Sequence, residues 1–400
     1  MNVLYLALVF AVIVGILAMR RPLYLAIGGG LLAMILLYRF SPSVVLEQFA
    51  AVFRSWDSMQ VLLSLYLITW LQRLLERRQM IMKGQQALNG LFHNRRINAG
   101  GAPVFIGLLP SAAAMTLCAD IVKESTDGYL NPREQAFITS WMRHLPECML
   151  PTNPAVLLMV GFSGIPVSRF MLGMLVPALT LGLLAYFPYL RRLKKEPDSP
   201  ASENRGRELV NMLRYFWPLL LIITLIMGFN VQVVPAALLV LLAMVLICGF
   251  KPAELWSTAK SAFEGKVILS TFLLLLLKEF IGCTRVMEQL PALLSGLPIP
   301  TYMVFVLLFF LGGIVSGSSG IIALGMPLVS SVMGSGLPVV ILLMCISHGA
   351  NQLSPVHICL EISASYYKVS MGELIRKSIL PVLIFCLLML GYYQLLLAVC

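Results

Sequence analysis

The sequence predicts an all-α polytopic membrane protein, built as two inverted repeats of five transmembrane helices, each repeat with a re-entrant hairpin and a broken helix. Three observations predict it. Of the 400 residues, 59% are hydrophobic and 12% charged, with a mean hydropathy of +0.89. A soluble domain carries about 25% charged residues, and half of that does not cover a water-facing surface. Second, no Asp, Glu, Lys or Arg occurs from Tyr215 to Phe250 or from Gln289 to Leu360, and each run exceeds the ~20 residues of one crossing. Third, the two halves repeat one another. The apolar stretches are continuous rather than alternating, which excludes a β-barrel.

The elements follow in order. Residues 1–19 are apolar and are followed, not preceded, by Arg20 and Arg21. That is the reverse of a cleaved signal, so a retained first helix with its N-terminus outside is expected. Crossings are expected near 3–18, 22–38, 57–75, 136–163 and 170–190, and again near 213–230, 232–250, 266–282, 338–366 and 375–398. Residues 99–118 and 301–335 are left over and read as re-entrant. The segment Arg191–Glu208 (RRLKKEPDSPASENRGRE) has the composition of a solvated connector. It divides the chain into a first repeat (1–190), a cytoplasmic linker (191–208) and a second repeat (209–400).

Three stretches match in order across the halves. Phe40-Ser-Pro42 through Phe53 matches Phe250-Lys-Pro252 through Phe263, a shift of 210. Gly107–Leu117 matches Gly313–Ala323, a shift of 206. His144-Leu-Pro-Glu147 through Pro151 matches His348-Gly-Ala-Asn351 through Pro355, a shift of 204. With the N-terminus outside, the loops at 20–21, 73–96, 120–134, 191–214, 251–266 and 368–377 are cytoplasmic, and they hold 23 of the 29 Lys and Arg. Basic residues mark the cytoplasmic side. Five crossings per half is an odd number, so the second half enters upside down, the plan of many secondary transporters. Both termini then lie outside, at the cytoplasmic (inner) membrane of a cell.

The net charge of +11 sits in these short loops, where it meets lipid headgroups, and no basic stripe on a soluble domain suggests nucleic acid. The eight Cys fall mostly inside apolar runs without paired spacing and read as small packing residues. There is no Gly-rich phosphate loop with Lys, no His-Glu-x-x-His and no Cys-x-x-Cys. No cofactor is implied, and no metal beyond a possible transported Na+.

Polar chemistry concentrates where helices must break. Pro146, Pro151 and Pro154 crowd PECMLPTNP, too densely for an intact helix, with Thr152 and Asn153 between the last two. Ser347-His348-Gly-Ala-Asn351-Gln352-Leu-Ser354-Pro355-Val-His357 sets polar side chains inside the second uncharged run. Each costs several kcal/mol in lipid without a partner. Candidate hairpin tips are Pro110-Ser111-Ala112 and Gly317-Ser318-Ser319-Gly320. Substrate contacts are therefore expected from Ser111, Thr152, Asn153, Ser318, Ser319, Asn351, Gln352 and Ser354. Ion coupling is expected from His144, Glu147, His348, His357 and Glu361, because ionisable groups inside a membrane mark ion pathways. Arg143, one turn before Glu147, reads equally well as a structural i,i+4 partner. Lys278 and Glu279 read as snorkelling residues at a helix end.

The broken segments Arg143–Pro151 and Leu353-Ser354-Pro355-Val356-His357-Ile358-Cys359-Leu360 resemble those of an uncharacterised family of ten-helix bacterial and archaeal membrane proteins grouped with the ion transporter superfamily. Its relatives include divalent-anion/sodium symporters, citrate and gluconate permeases, and arsenite and sodium/proton antiporters. The resemblance implies a scaffold, a mobile transport domain, and a homodimer moving as an elevator. The sodium/dicarboxylate branch carries Ser-Asn-Thr at its tips, which this chain lacks, whereas its histidines suit protons. The expected activity is secondary transport of a small anionic solute coupled to H+ or Na+. A Na+/H+ antiporter without organic substrate is the first alternative. The second is an intramembrane serine protease, because Gly161-Phe-Ser163-Gly164 and Gly317-Ser318-Ser319-Gly320 resemble the rhomboid nucleophile turn, with His348 as base.

Overall fold

The computed structural model describes residues 2–19, 21–107, 112–195, 204–284, 286–296, 298–355 and 357–399. Among them there are helices and no strand. The first half runs α1 (Asn2–Ala18), α2 (Leu23–Tyr38), α3 (Pro42–Arg54), α4 (Trp56–Arg77), α5 (Met80–Phe92), α6 (Arg95–Ile106) and α7 (Ala112–Thr126). It continues with α8 (Pro132–His144), a 3-10 turn (Pro146–Cys148), α9 (Pro154–Ser163), α10 (Val167–Gly173) and α11 (Leu175–Tyr186). The second half runs α12 (Arg205–Phe229), α13 (Val233–Cys248), α14 (Pro252–Ala262), α15 (Gly265–Gly282), α16 (Val286–Ser295), α17 (Thr301–Met333), α18 (Leu337–Asn351), α19 (Ile358–Tyr366) and α20 (Met371–Val399).

Particular elements of the two halves correspond. Both α3 and α14 start on a proline at the first helical position, Pro42 and Pro252, where the missing N–H costs nothing. The broken crossings correspond as well: α8 ends at His144 and α18 at Asn351, while α9 begins at Pro154 and α19 at Ile358. The short amphipathic helices α3, α5 and α14 were not among the expected crossings, and they connect the longer apolar ones.

Helix α17 is not a single rod. Gly317 has φ 71° and ψ 170°, a conformation essentially confined to glycine. A Cβ on Gly325 would lie 2.5 Å from the Phe309 ring, and one on Gly312 would lie 2.4 Å from Ile321 Cδ1. In a continuous helix residues 309 and 325 are about 24 Å apart. The segment therefore folds back at Gly317 into a hairpin, whose glycines let the two arms touch. Helices α6 and α7 also pack on each other; their expected tip, including Ser111, lies outside the described residues.

Burial follows the inverted logic of a bilayer. Leu172, Leu179, Leu242 and Leu387 are exposed on their helices, whereas Arg143, His144, Ser347 and Ser354 are buried. Apolar side chains face lipid here, and the polar ones meet inside. By helix length, apolar character and packing this is a multi-pass helical membrane protein.

Candidate functional site

The two broken crossings and the α17 hairpin meet at one place. Asn131 caps α8, accepting from the Glu134 N–H while Glu134 returns the bond to the Asn131 N–H. The helix then runs unbroken to His144. Pro146 starts the 3-10 turn, and the chain becomes helical again only at Pro154. There the Asn153 side chain accepts from the Ala155 N–H at 2.8 Å, the N-cap geometry. In the second half α18 ends at Asn351, Leu353 N–H bonds back to Ala350 O, and His357 precedes α19.

A cavity of 240 Å³ lies between these ends. Its wall combines Glu147, Asn153, Pro154 and Ala155 from the first half with Ser316–Ser319 at the hairpin bend, Met344, His348 and Asn351 from α18, and His357. Larger cavities lie elsewhere: one of 400 Å³ beside Gln85, Arg95, Asp120 and Glu124, one of 330 Å³ beside Asp57, Ser168 and Asn230, and apolar ones of 700 Å³ beside Phe40 and Phe49 and of 450 Å³ beside Phe10 and Leu308. We take the first one as the candidate site because it is where helix ends from both halves converge, the usual position for a solute or ion in a transporter fold.

Behind its wall runs a chain of hydrogen bonds. Asn351 Oδ1 lies 3.1 Å from His357 Nδ1, His357 Nε2 lies 2.9 Å from His144 Nε2, and His144 Nδ1 lies 2.7 Å from the Ser140 carbonyl oxygen. The two imidazoles meet edge to face, with centroids 4.7 Å apart. Alongside, Arg143 Nη1 donates to Glu147 Oε1 at 3.1 Å and to Cys359 Sγ at 3.4 Å. His144, His357 and Cys359 bring N, N and S donors within 4.8 Å of one another. That is a donor set for a soft metal, but these atoms are spent on each other and on the Arg143 cation. The triad reads as a hydrogen-bonded cluster.

The expected site residues divide into several groups. Glu147, Asn153, Ser318, Ser319, His348, Asn351 and His357 line the cavity. His144 is buried one step behind it, bonded to His357. Ser354 is also buried, and its hydroxyl donates to Ile314 O at 2.7 Å, tying the segment to the first arm of the hairpin. Gln352 is buried with its Nε2 lacking a hydrogen-bond partner among the described residues, and it does not line the cavity. Thr152 stands in the turn before Asn153, off the cavity wall. Glu361 is not brought to the site: it is exposed on the first turn of α19, one residue beyond buried Leu360, so the helix carries it to another face. Ser163 Oγ donates to Val160 O and accepts from the Ile165 N–H, serving the end of α9.

Sequence reasoning passed over Ser316, Met344 and Cys359. The first bonds back to Gly312 O and carried no periodic signal. Cys359 was set among packing residues, yet it stands two positions after His357 and meets Arg143.

Fold and site together define a multi-pass helical membrane protein whose broken helices meet at a buried polar cavity. The chain superposes on the crystal structure of the Alcanivorax borkumensis YdaH transporter with a TM-score of 0.59 and 14% identity, covering 90% of this chain and 87% of that one. It belongs to the family described as "Protein of unknown function (DUF401)", whose model matches residues 3–397. No curated protein matches the chain.

Proposed function

We propose that the protein is a secondary active transporter of the cytoplasmic membrane, moving a small anionic solute coupled to H+ or Na+. The observation that carries this reading is the 240 Å³ cavity walled by helix ends of both halves. The N-terminus of α9, with Asn153, Pro154 and Ala155, and the start of the second hairpin arm at Ser318 face it. N-terminal dipole ends favour negative charge. The C-terminal end of α18, at Asn351, contributes the opposite end, suited to a cation. Glu147 adds a carboxylate that Arg143 already balances, so the wall is not closed to an anion.

In this reading the chain divides at the linker 191–208 into repeats 1–190 and 209–400, the second inverted relative to the first. Residues 97–165 and 301–366 move as one body against a scaffold of the remaining helices. The scaffold forms the homodimer interface, both termini lie outside and the linker lies in the cytoplasm.

The test is the melting temperature of the detergent-purified protein against a panel of organic anions, at pH 6 and 8, with and without sodium. A ligand that binds only the folded state raises it by mass action. A shift with one anion class, lost in Asn351→Ala and in Ser319→Ala, supports the reading. Shifts with sodium or pH alone overturn it in favour of a cation antiporter.

A further inference from the structure

The donor and acceptor pattern of the His144–His357 pair allows only two arrangements. The Ser140 carbonyl oxygen can only accept, so His144 Nδ1, at 2.7 Å, carries a hydrogen. If the pair is uncharged, His144 Nε2 is then a lone pair. His357 Nε2, facing it at 2.9 Å, must carry the second hydrogen, because two lone pairs at that distance repel. This leaves His357 Nδ1 as an acceptor, and Asn351, 3.1 Å away, must offer it the amide NH2. Add one proton to the pair, on either ring, and His357 Nδ1 becomes a donor. Asn351 must then offer its carbonyl oxygen. Which end of a side-chain amide faces a partner is set by such bonding.

Asn351 also lines the cavity. If the end not given to His357 faces the cavity, the charge of the pair decides which group a solute meets there. With the pair uncharged the cavity then meets a carbonyl oxygen; with the pair protonated it meets an NH2 group.

We propose that Asn351 is a two-position amide switch, set by one proton on the His144–His357 pair, that presents a hydrogen-bond donor to an anionic solute only when the proton is bound. This rests on the transporter reading above and assigns its coupling ion as H+. The neighbouring charges fit. From α8 and the 3-10 turn, Arg143 and Glu147 face the pair as a mutually balanced ion pair. His348 from α18 lines the same cavity, Cys359 follows on α19, and Cys118 of α7 lies beside Arg143 and Cys359. Glu147 Oε2 lies 4.0 Å from His144 Nε2, but Arg143 shares that carboxylate, so the extra proton leaves the group with a net positive charge, which an anion in the cavity balances. By linkage, proton and anion each raise the affinity for the other by the same factor.

The test reads protonation directly and needs no solute. The chain holds four histidines, so ring-15N-labelled full-length protein in phosphatidylcholine liposomes gives four ring signatures, assigned with His93→Gln and His348→Gln. At pH 8 the wild type shows one member of the pair as the Nδ1–H tautomer and the other as Nε2–H; on acidification the pair gains one imidazolium. Asn351→Asp places an acceptor-only group on His357 and retains the imidazolium at pH 8, raising its share at least about tenfold. Two Nδ1–H tautomers in wild type at pH 8 overturn the proposal, even if the variant does not fold. So does a titration unchanged in a folded Asn351→Asp. Neither outcome touches the transporter reading, which the melting panel tests separately.

Discussion

The two broken crossings share a backbone plan and differ in chemistry. At a shift of 204, Arg143 corresponds to Ser347, His144 to His348, Glu147 to Asn351 and Asn153 to His357. Corresponding backbone contacts recur: a Cβ on Gly107 would lie 2.1 Å from the Arg143 carbonyl oxygen, and one on Gly313 would lie 3.5 Å from that of Ser347. The first half nevertheless places an ion pair where the second has a hydroxyl and an amide. It caps α9 with an asparagine where the second sets a histidine before α19. The first half contributes the ion pair, the cap and one imidazole of the histidine pair, the second half the other imidazole and the Asn351 amide. Helix ends from both segments meet at the cavity, and their differing residues give its two sides different chemistry.

The comparison can be broken most forcefully at the ion pair. Arg143 is 1% exposed and Glu147 18%. Removing one partner of a buried pair costs about 3–5 kcal/mol. Glu147→Gln should therefore lower the detergent melting temperature sharply, whereas Arg143→Met combined with Glu147→Leu recovers most of the loss. If the single variant melts like wild type, the first half does not depend on its charge.

Glycine comes next. Gly107→Ala drives a methyl into a carbonyl oxygen of α8, while Gly313→Ala meets Ala350 Cβ at 2.8 Å and the Ser347 carbonyl oxygen at 3.5 Å. Overpacking costs about 1–3 kcal/mol, and Gly107→Ala is expected at the upper end of that range. Equal melting temperatures for the two variants would show that the hairpins seat differently from the contacts described. Ser354→Ala should cost about 0.5–1.5 kcal/mol, the worth of its bond to Ile314 O. Ser319→Ala should leave melting unchanged and weaken only the anion-induced shift.

A smaller effect on stability lies at the start of α8. Burial pushes the Glu134 carboxyl up, but bonds from Arg192 and the Asn131 N–H, with Lys377 nearby, outweigh it and hold it below the usual carboxylate range. Its contribution to stability is present above the unfolded carboxylate range near ~4.3 and is lost as pH falls through the lower folded value. Glu134→Gln should therefore narrow the difference in melting temperature between pH 7 and pH 4. An unchanged difference would remove Glu134 from the acid response.

Much of the helical plan was legible because a bilayer demands continuous apolar runs. The segment expected at 57–75 is α4 (Trp56–Arg77), and prolines marked the break before α9. The hairpin bend was legible in Gly317-Ser-Ser-Gly320, since only glycine reaches that backbone conformation freely. The site was legible as a set of polar segments but not as a set of contacts. Ser354 looked like a ligand-facing hydroxyl and is bonded to the hairpin backbone. Glu361 was singled out as the nearest carboxylate in sequence, yet one position along a helix is a rotation of about 100°, enough to turn it away. The His144–His357 bond joins residues 213 apart, and no spacing rule reports such a meeting.

The fold-back at Gly317 also bears on membrane parity. Thr301–Met333 spans 33 residues, long and apolar enough for a full crossing, yet it returns towards where it began. It therefore adds zero to the tally of crossings rather than one. Counting it as a span reverses the assigned side of everything after Met333, including the basic residues Lys368, Arg376 and Lys377. Cysteines introduced at Pro300 and Ser335 should react with an impermeant reagent from the same side of the membrane.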